Sequence, residues 1–195
     1  MAIKQEIKNC DGIYFITITC CDWLPLFEIA QSYQAVYNWF QYLKNKGHFI
    51  PGYVIMPNHL HALIAFSNHG ENINRIIRNE KRFMAYYIID KLKENGNEKL
   101  LHQLSTKVNS SDKKRGKLHE VFTPSFDIKE CFTQKFIQQK LDYIHSNPCT
   151  GKWDLAPTAD DYVHSSSRYY SDGIQGIFQV DFIMEVLNID LSKKN

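Results

Sequence analysis

Residues 53–66, YVIMPNHLHALIAF, limit the possible folds more than any other stretch of the chain. Two apolar runs, 53–56 and 60–66, flank Pro57-Asn58. Both runs are rich in Val, Ile, Leu and aromatic residues and read as strands. Proline fixes φ and asparagine tolerates a bend, so the step between them is turn chemistry. The segment therefore reads as two antiparallel strands joined by a tight turn. Alternate side chains of a strand share a face. Leu60, Ala62, Ile64 and Phe66 then point into a core, while His59 and His61 point together to the other side. Two imidazoles on one face at a strand start can hold one metal ion. The same pattern fits two ordinary polar residues on the exposed side of a half-buried strand. Neither ring is then needed to fill the core.

The flanking sequence extends this pair into a fold. Residues 13–21 (IYFITITCC) alternate and are β-branched, which predicts a first strand. Residues 28–46 carry Ile29, Tyr33, Val36, Tyr37, Phe40 and Leu43 at helical spacing, and Gly47 is placed to end that helix. A second helix is predicted over 72–95, with Ile73, Ile76, Ile77, Phe83, Met84, Tyr87 and Ile88 as its buried stripe and Asn95-Gly96 at its close. The order strand, helix, strand, strand, helix predicts an α+β fold. Its form is a ferredoxin-like antiparallel sheet containing 13–21, 53–57 and 59–66, with both of these helices packed on one face. Residues 97–119, with the run NSSDKKRGK, read as a flexible insertion loop. Residues 121–126 are a further strand candidate. A third helix over 130–146 ends at Asn147-Pro148, because the residue before proline avoids the helical region. No repeat or linker interrupts the chain, so 1–195 reads as one domain with its core at about 13–170.

Composition narrows the class. The chain has 195 residues, of which 44% are hydrophobic and 23% charged, the ordinary balance of a globular domain. No apolar run approaches the roughly 20 residues of a membrane span. The opening MAIKQEIKNCDG lacks the apolar stretch of a signal peptide. Five cysteines, an odd number with no CxxC pair, indicate neither a disulfide framework nor a cysteine-zinc site. The expected compartment is the cytoplasm. A net charge of +2 permits a nucleic-acid partner without demonstrating one.

The third helix carries KFIQQKLDYIHSNP, with Ile137, Leu141 and Ile144 as its apolar stripe. Tyr143 lies about 200° around from Leu141, off that stripe. Asn147 follows one turn later on the face of Tyr143, and Gln139 and Lys140 precede it by one turn. The helix thus presents a phenol with an amide oxygen beside it, or else a rim tyrosine and a helix-terminating Asn-Pro. On the second helix, Arg75, Arg78 and Arg82 share a face with Lys81 beside them. They form either a phosphate-backbone track or a solvated face. Tyr162, Tyr169 and Tyr170 either stack on unpaired bases or pack the tail onto the body.

YVIMPNHLHALIAF together with KLDYIHSNPCTGKWDLAPTADDYVHSSSRYY resembles the REP-associated tyrosine transposases, a branch of the single-tyrosine HUH transposases. YFITITCCDWLPLFE is similar to that family's first strand and the turn after it. The resemblance runs from about Tyr14 to Tyr170. It implies the HUH fold, with His59 and His61 binding Mg²⁺ or Mn²⁺ and Asn147 completing the metal site. It also implies that Tyr143 attacks DNA. The implied reaction nicks and rejoins single-stranded DNA at a foldback hairpin through a covalent 5′-phosphotyrosine. The chain departs from the family at 121–123, where Val-Phe-Thr stands in place of a tryptophan-glutamine step, and at Cys149, where valine is usual. Two other readings compete with it. One is a nucleic-acid-binding protein of the same fold without cleavage, and the other is a zinc hydrolase using the two histidines. The sequence leaves monomer or homodimer open.

Overall fold

The computed structural model describes residues 7, 9–124, 127–151 and 153–193. Four antiparallel strands, β1 (Gly12–Thr19), β2 (Phe49–Ile55), β3 (His59–Phe66) and β4 (Asp127–Glu130), form one sheet in the order β2-β3-β1-β4. The fold is α+β, as the pattern predicts. The Met56 N–H donates to the His59 carbonyl at 2.8 Å, so Pro57-Asn58 is the turn between β2 and β3. β1 pairs along all of β3, with Thr17 opposite His61 and Thr19 opposite His59. β2 begins at Phe49, earlier than expected, and a register shift between Phe49 and Gly52 accommodates Pro51.

The predicted helix over 28–46 is two. α1 (Leu26–Ile29) ends near Gln31, whose φ of 47° breaks the helix, and α2 (Tyr33–Asn45) restarts after it. α3 (Ile73–Glu94) starts at Asn72, whose side chain caps the Arg75 N–H at 3.1 Å. α2 and α3 bury their stripes against Tyr14, Ile16, Ile18, Leu60, Ala62, Ile64 and Phe66, all on one face of the sheet. Phe83 does not join that stripe and is 56% exposed.

Residues 97–119 are not a loop. α4 (Glu98–Thr106) and α5 (Ser110–Lys114) occupy most of the segment. Leu100, Leu101 and Leu104 of α4 are buried in the main core. This short helical pattern is masked by the polar residues around it. The strand expected at 121–126 is reduced to a single bridge between Phe122 and Cys20, and positions 125 and 126 lie outside the described residues. The fourth strand is β4, whose sequence DIKE has one apolar residue and so carries almost no pattern.

α6 (Gln134–Ser146) begins later than predicted because β4 takes the preceding residues. Thr133 caps it, accepting from the Phe136 N–H at 3.2 Å. α2 and α3 share one face of the sheet, as expected, and α6 takes the other. Ile137, Leu141 and Ile144 lie against Ile13, Phe15, Val54, Met56, Leu63 and Ala65, on the opposite face from α2 and α3. Gly52 permits this close approach, since a Cβ there would sit 2.5 Å from Leu141 Cδ2. α7 (Ser167–Asp172) and α8 (Ile183–Val186) belong to the tail. The tail runs along β2, with Ile55 N–H donating to His164 O at 2.9 Å and Ser166 N–H to Tyr53 O at 3.0 Å. These bonds cover an edge strand that would otherwise expose unpaired backbone groups. Among the described residues, no helix is long and apolar enough to cross a membrane.

Candidate functional site

α6 packs on the histidine face of the sheet and brings Tyr143 beside His61. The two ring centroids are 5.1 Å apart, and those of His59 and His61 are 4.7 Å apart. Phe15 of β1 joins them, stacked on His61 at 5.3 Å and edge-on to Tyr143 at 5.9 Å. Tyr143 is 47% exposed and off the buried stripe, as its helical position predicts. Both histidines are buried, so the expectation that neither ring fills space is wrong. α6 lies on their side of the sheet and closes over them.

Hydrogen bonds orient both rings. Asn58 Nδ2 donates to the Trp23 carbonyl at 3.0 Å, which turns the amide oxygen toward His59 Nδ1 at 2.7 Å. His59 Nδ1 then donates to that oxygen. Thr17 Oγ1 lies 2.8 Å from His61 Nδ1 and can accept in the same way. Ligating histidines commonly have such partners on the second nitrogen. Burial, aided by His59 and Lys140, pushes the His61 pKa down to about 3, so the ring is neutral at pH 7. Neutral imidazole is the ligating form.

Asn147 follows α6 in a 3-10 turn, Asn147–Cys149, and is buried. Its Oδ1 has no hydrogen-bond partner. A buried orphan acceptor costs about 1–3 kcal/mol, and a bound cation would offset that cost. Among the described residues, no group of three or more His, Cys, Asp or Glu side chains could hold a metal.

Lys140 was not assigned a role from sequence, yet its Nζ lies 4.7 Å from the Phe15 ring centroid and 5.7 Å from that of Tyr143. Trp23 and Trp153 flank His59, with ring centroids at 5.6 and 6.2 Å. Thr17, Asn58, Phe15 and both tryptophans were also missed. Each comes from an element whose partner cannot be read from its own pattern.

The arginine track is separate from this cluster. Arg75, Arg78 and Arg82 are exposed, but α3 lies on the other face of the sheet from Tyr143. Lys81 turns away from the arginines. Its ammonium donates to the Thr123 carbonyl at 2.8 Å, and burial lowers its pKa to about 8. Two of the tail tyrosines are structural: Tyr162 donates to Ile55 O and Tyr170 to Pro51 O, both at 2.8 Å.

No protein-family model matches the sequence, and no curated protein matches it. The solved structure of a REP-associated tyrosine transposase bound to a REP hairpin is similar over 100% of this chain and 99% of its own, with a TM-score of 0.58 and 16% identity. At that identity the likeness is one of fold. A candidate transposase from Deinococcus radiodurans matches 73% of this chain and 95% of its own, at a TM-score of 0.41 and 12% identity, too distant to add weight.

Proposed function

We propose that this chain is a REP-associated tyrosine transposase of the single-tyrosine HUH branch. It nicks and rejoins single-stranded DNA at a foldback hairpin. The observation that carries this reading is the contact between the Tyr143 ring and His61, beside His59. The full-length likeness in fold to a transposase solved with a REP hairpin supports hairpin DNA as the substrate class.

His59, His61 and the orphan Oδ1 of Asn147 would hold Mg²⁺ or Mn²⁺. Two imidazoles and an amide oxygen, with no thiolate, suit Mn²⁺ well and Mg²⁺ acceptably. Such an ion supplies Lewis acidity, polarising the phosphoryl oxygen.

The chain's own groups do the rest. The Tyr143 oxygen attacks phosphorus and gives up its proton, forming the tyrosyl–phosphate bond. The bond from phosphorus to the 3′ oxygen breaks, and that oxygen takes up a proton and leaves as a 3′-OH. The bond energy stays in the 5′-phosphotyrosine, so a later 3′-OH can reverse the step without ATP. Lys140 places a cation near the attack point, where charge grows on the phosphate. Arg75, Arg78 and Arg82 would meet only DNA that reaches round to the other face.

The test is incubation of labelled single-stranded hairpins with the protein and Mn²⁺, followed by a denaturing gel. A protein–DNA adduct is expected. Hairpin binding without an adduct would instead identify a binding protein that lacks cleavage. Hydrolysis driven by Zn²⁺ and without an adduct would identify a zinc hydrolase.

A further inference from the structure

Trp23 is 57% exposed, in contrast to Trp39, which is buried in the core. Its backbone is held in the left-handed region at φ 57°, directly after Asp22 at φ 52°. Side-chain-bearing residues rarely adopt that region, and each instance costs of order 1–3 kcal/mol. Three contacts hold the turn in place. Trp23 N–H donates to Cys20 O at 3.1 Å, Asn58 Nδ2 donates to Trp23 O at 3.0 Å, and Lys107 pairs with Asp22 at 2.6 Å. The result is a backbone-anchored indole, exposed to solvent, with its ring 5.6 Å from His59 and crossed at 72°. Asn58 bonds both the Trp23 carbonyl and the His59 ring, which ties the backbone beneath the indole to the histidine.

We infer that Trp23 is a stacking platform for an unpaired nucleobase of the strand whose phosphate Tyr143 attacks. The inference rests on the proposed DNA-cleaving reading and adds the group that seats the strand. Tyr143, His61, His59 and Trp23 follow one another as successive ring contacts of 5.1, 4.7 and 5.6 Å. A strand laid along them has its phosphate at the Tyr143 end, by Lys140, and a base at the indole. A flat, pre-ordered aromatic face binds any base by its π-face, whatever the sequence. The Trp153 ring also lies near His59, at 6.2 Å.

The experiment uses the Tyr143→Phe protein, so that binding is not consumed by cleavage. It measures affinity by fluorescence anisotropy for a DNA hairpin with single-stranded flanks. Trp23→Ala should weaken binding roughly 5- to 150-fold, the range of one base–aromatic stack. Trp23→Phe should recover most of the loss, which separates the aromatic face from any folding defect. An abasic site placed at each flank position in turn should weaken the parent at one position. The same abasic site should cost the Trp23→Ala protein nothing more. If Trp23→Ala binds as tightly as the parent, and every abasic site costs both proteins equally, the platform is wrong while hairpin binding stands. If the parent binds no hairpin at all, the DNA reading and the platform fall together.

Discussion

The rings of His61 and Tyr143, one from β3 and the other from α6, lie 5.1 Å apart and cross at 65°. Neither element sets this contact alone. Gly52 lets α6 approach the sheet, and Leu141, on the buried stripe of α6, packs over that glycine. The phenol is left half in solvent beside the two imidazoles.

Tyr143→Phe removes one oxygen from an exposed side chain. None of the hydrogen bonds among the described residues involves that hydroxyl. Thermal stability should stay within about 0.5 kcal/mol of the parent, and hairpin affinity should be unchanged. The covalent adduct and strand cleavage should vanish together on a denaturing gel. Cleavage at the parent rate would make water the attacking group.

Thr17→Val keeps the shape of the side chain and removes the hydroxyl 2.8 Å from His61 Nδ1. Loss of such an orienting partner typically lowers metal affinity about 10- to 100-fold. Mn²⁺ calorimetry should show that drop. His61→Ala should abolish Mn²⁺ binding and also lower stability, because the ring is buried against Phe15. An unchanged Mn²⁺ affinity in Thr17→Val would leave His61 with no orienting role for that hydroxyl.

Asn147→Ala removes a buried acceptor that has no partner. Its stability should therefore not fall by the cost of a broken hydrogen bond. Mn²⁺ should bind more weakly than to the parent yet more tightly than to His61→Ala, since water can replace one neutral oxygen. The two titrations, run beside thermal melts, check this. Parent-like Mn²⁺ affinity would exclude Asn147 as a ligand.

His48 gives the fold a sensitivity to acid. Burial, with His69 and Lys46 nearby, lowers its pKa to about 4. Its neutral Nδ1 accepts the Ser67 N–H at 3.1 Å. In the unfolded chain the ring titrates near 6.5. As pH falls below about 6.5, the unfolded state takes up the proton first, so stability drops through the window down to about 4. His48→Gln should flatten part of that decline when melting temperatures at pH 7 and pH 5 are compared. An identical slope in the variant would place the acid sensitivity elsewhere.

Leu104 tests the corrected view of 97–119. It is fully buried in the main core. Leu104→Ala should cost about 2–5 kcal/mol, the range for buried leucine truncation, read from urea unfolding. A loss below 0.5 kcal/mol, the range of surface changes, would return the segment to a peripheral role.

Much of this molecule is legible in its residue order, because strand and helix periodicities are local. The alternation in IYFITITCC and the Pro57-Asn58 turn sufficed for β1 and the β2–β3 hairpin, and helical spacing located α3 and α6. The shared face of His59 and His61, and the off-stripe position of Tyr143, follow from the same periods. Weak local signals failed: DIKE has a single apolar residue, and the leucines of α4 are set among polar neighbours. Contacts between elements have no local signal at all. Only the packed chain determined that α6 covers the histidine face and buries both rings. It also placed Thr17 and Asn58 on the ring nitrogens, and put the α3 arginines on the other side of the sheet. A side chain's own segment sets the direction in which it points. What it meets there depends on which elements dock, and that choice belongs to the burial of the whole core.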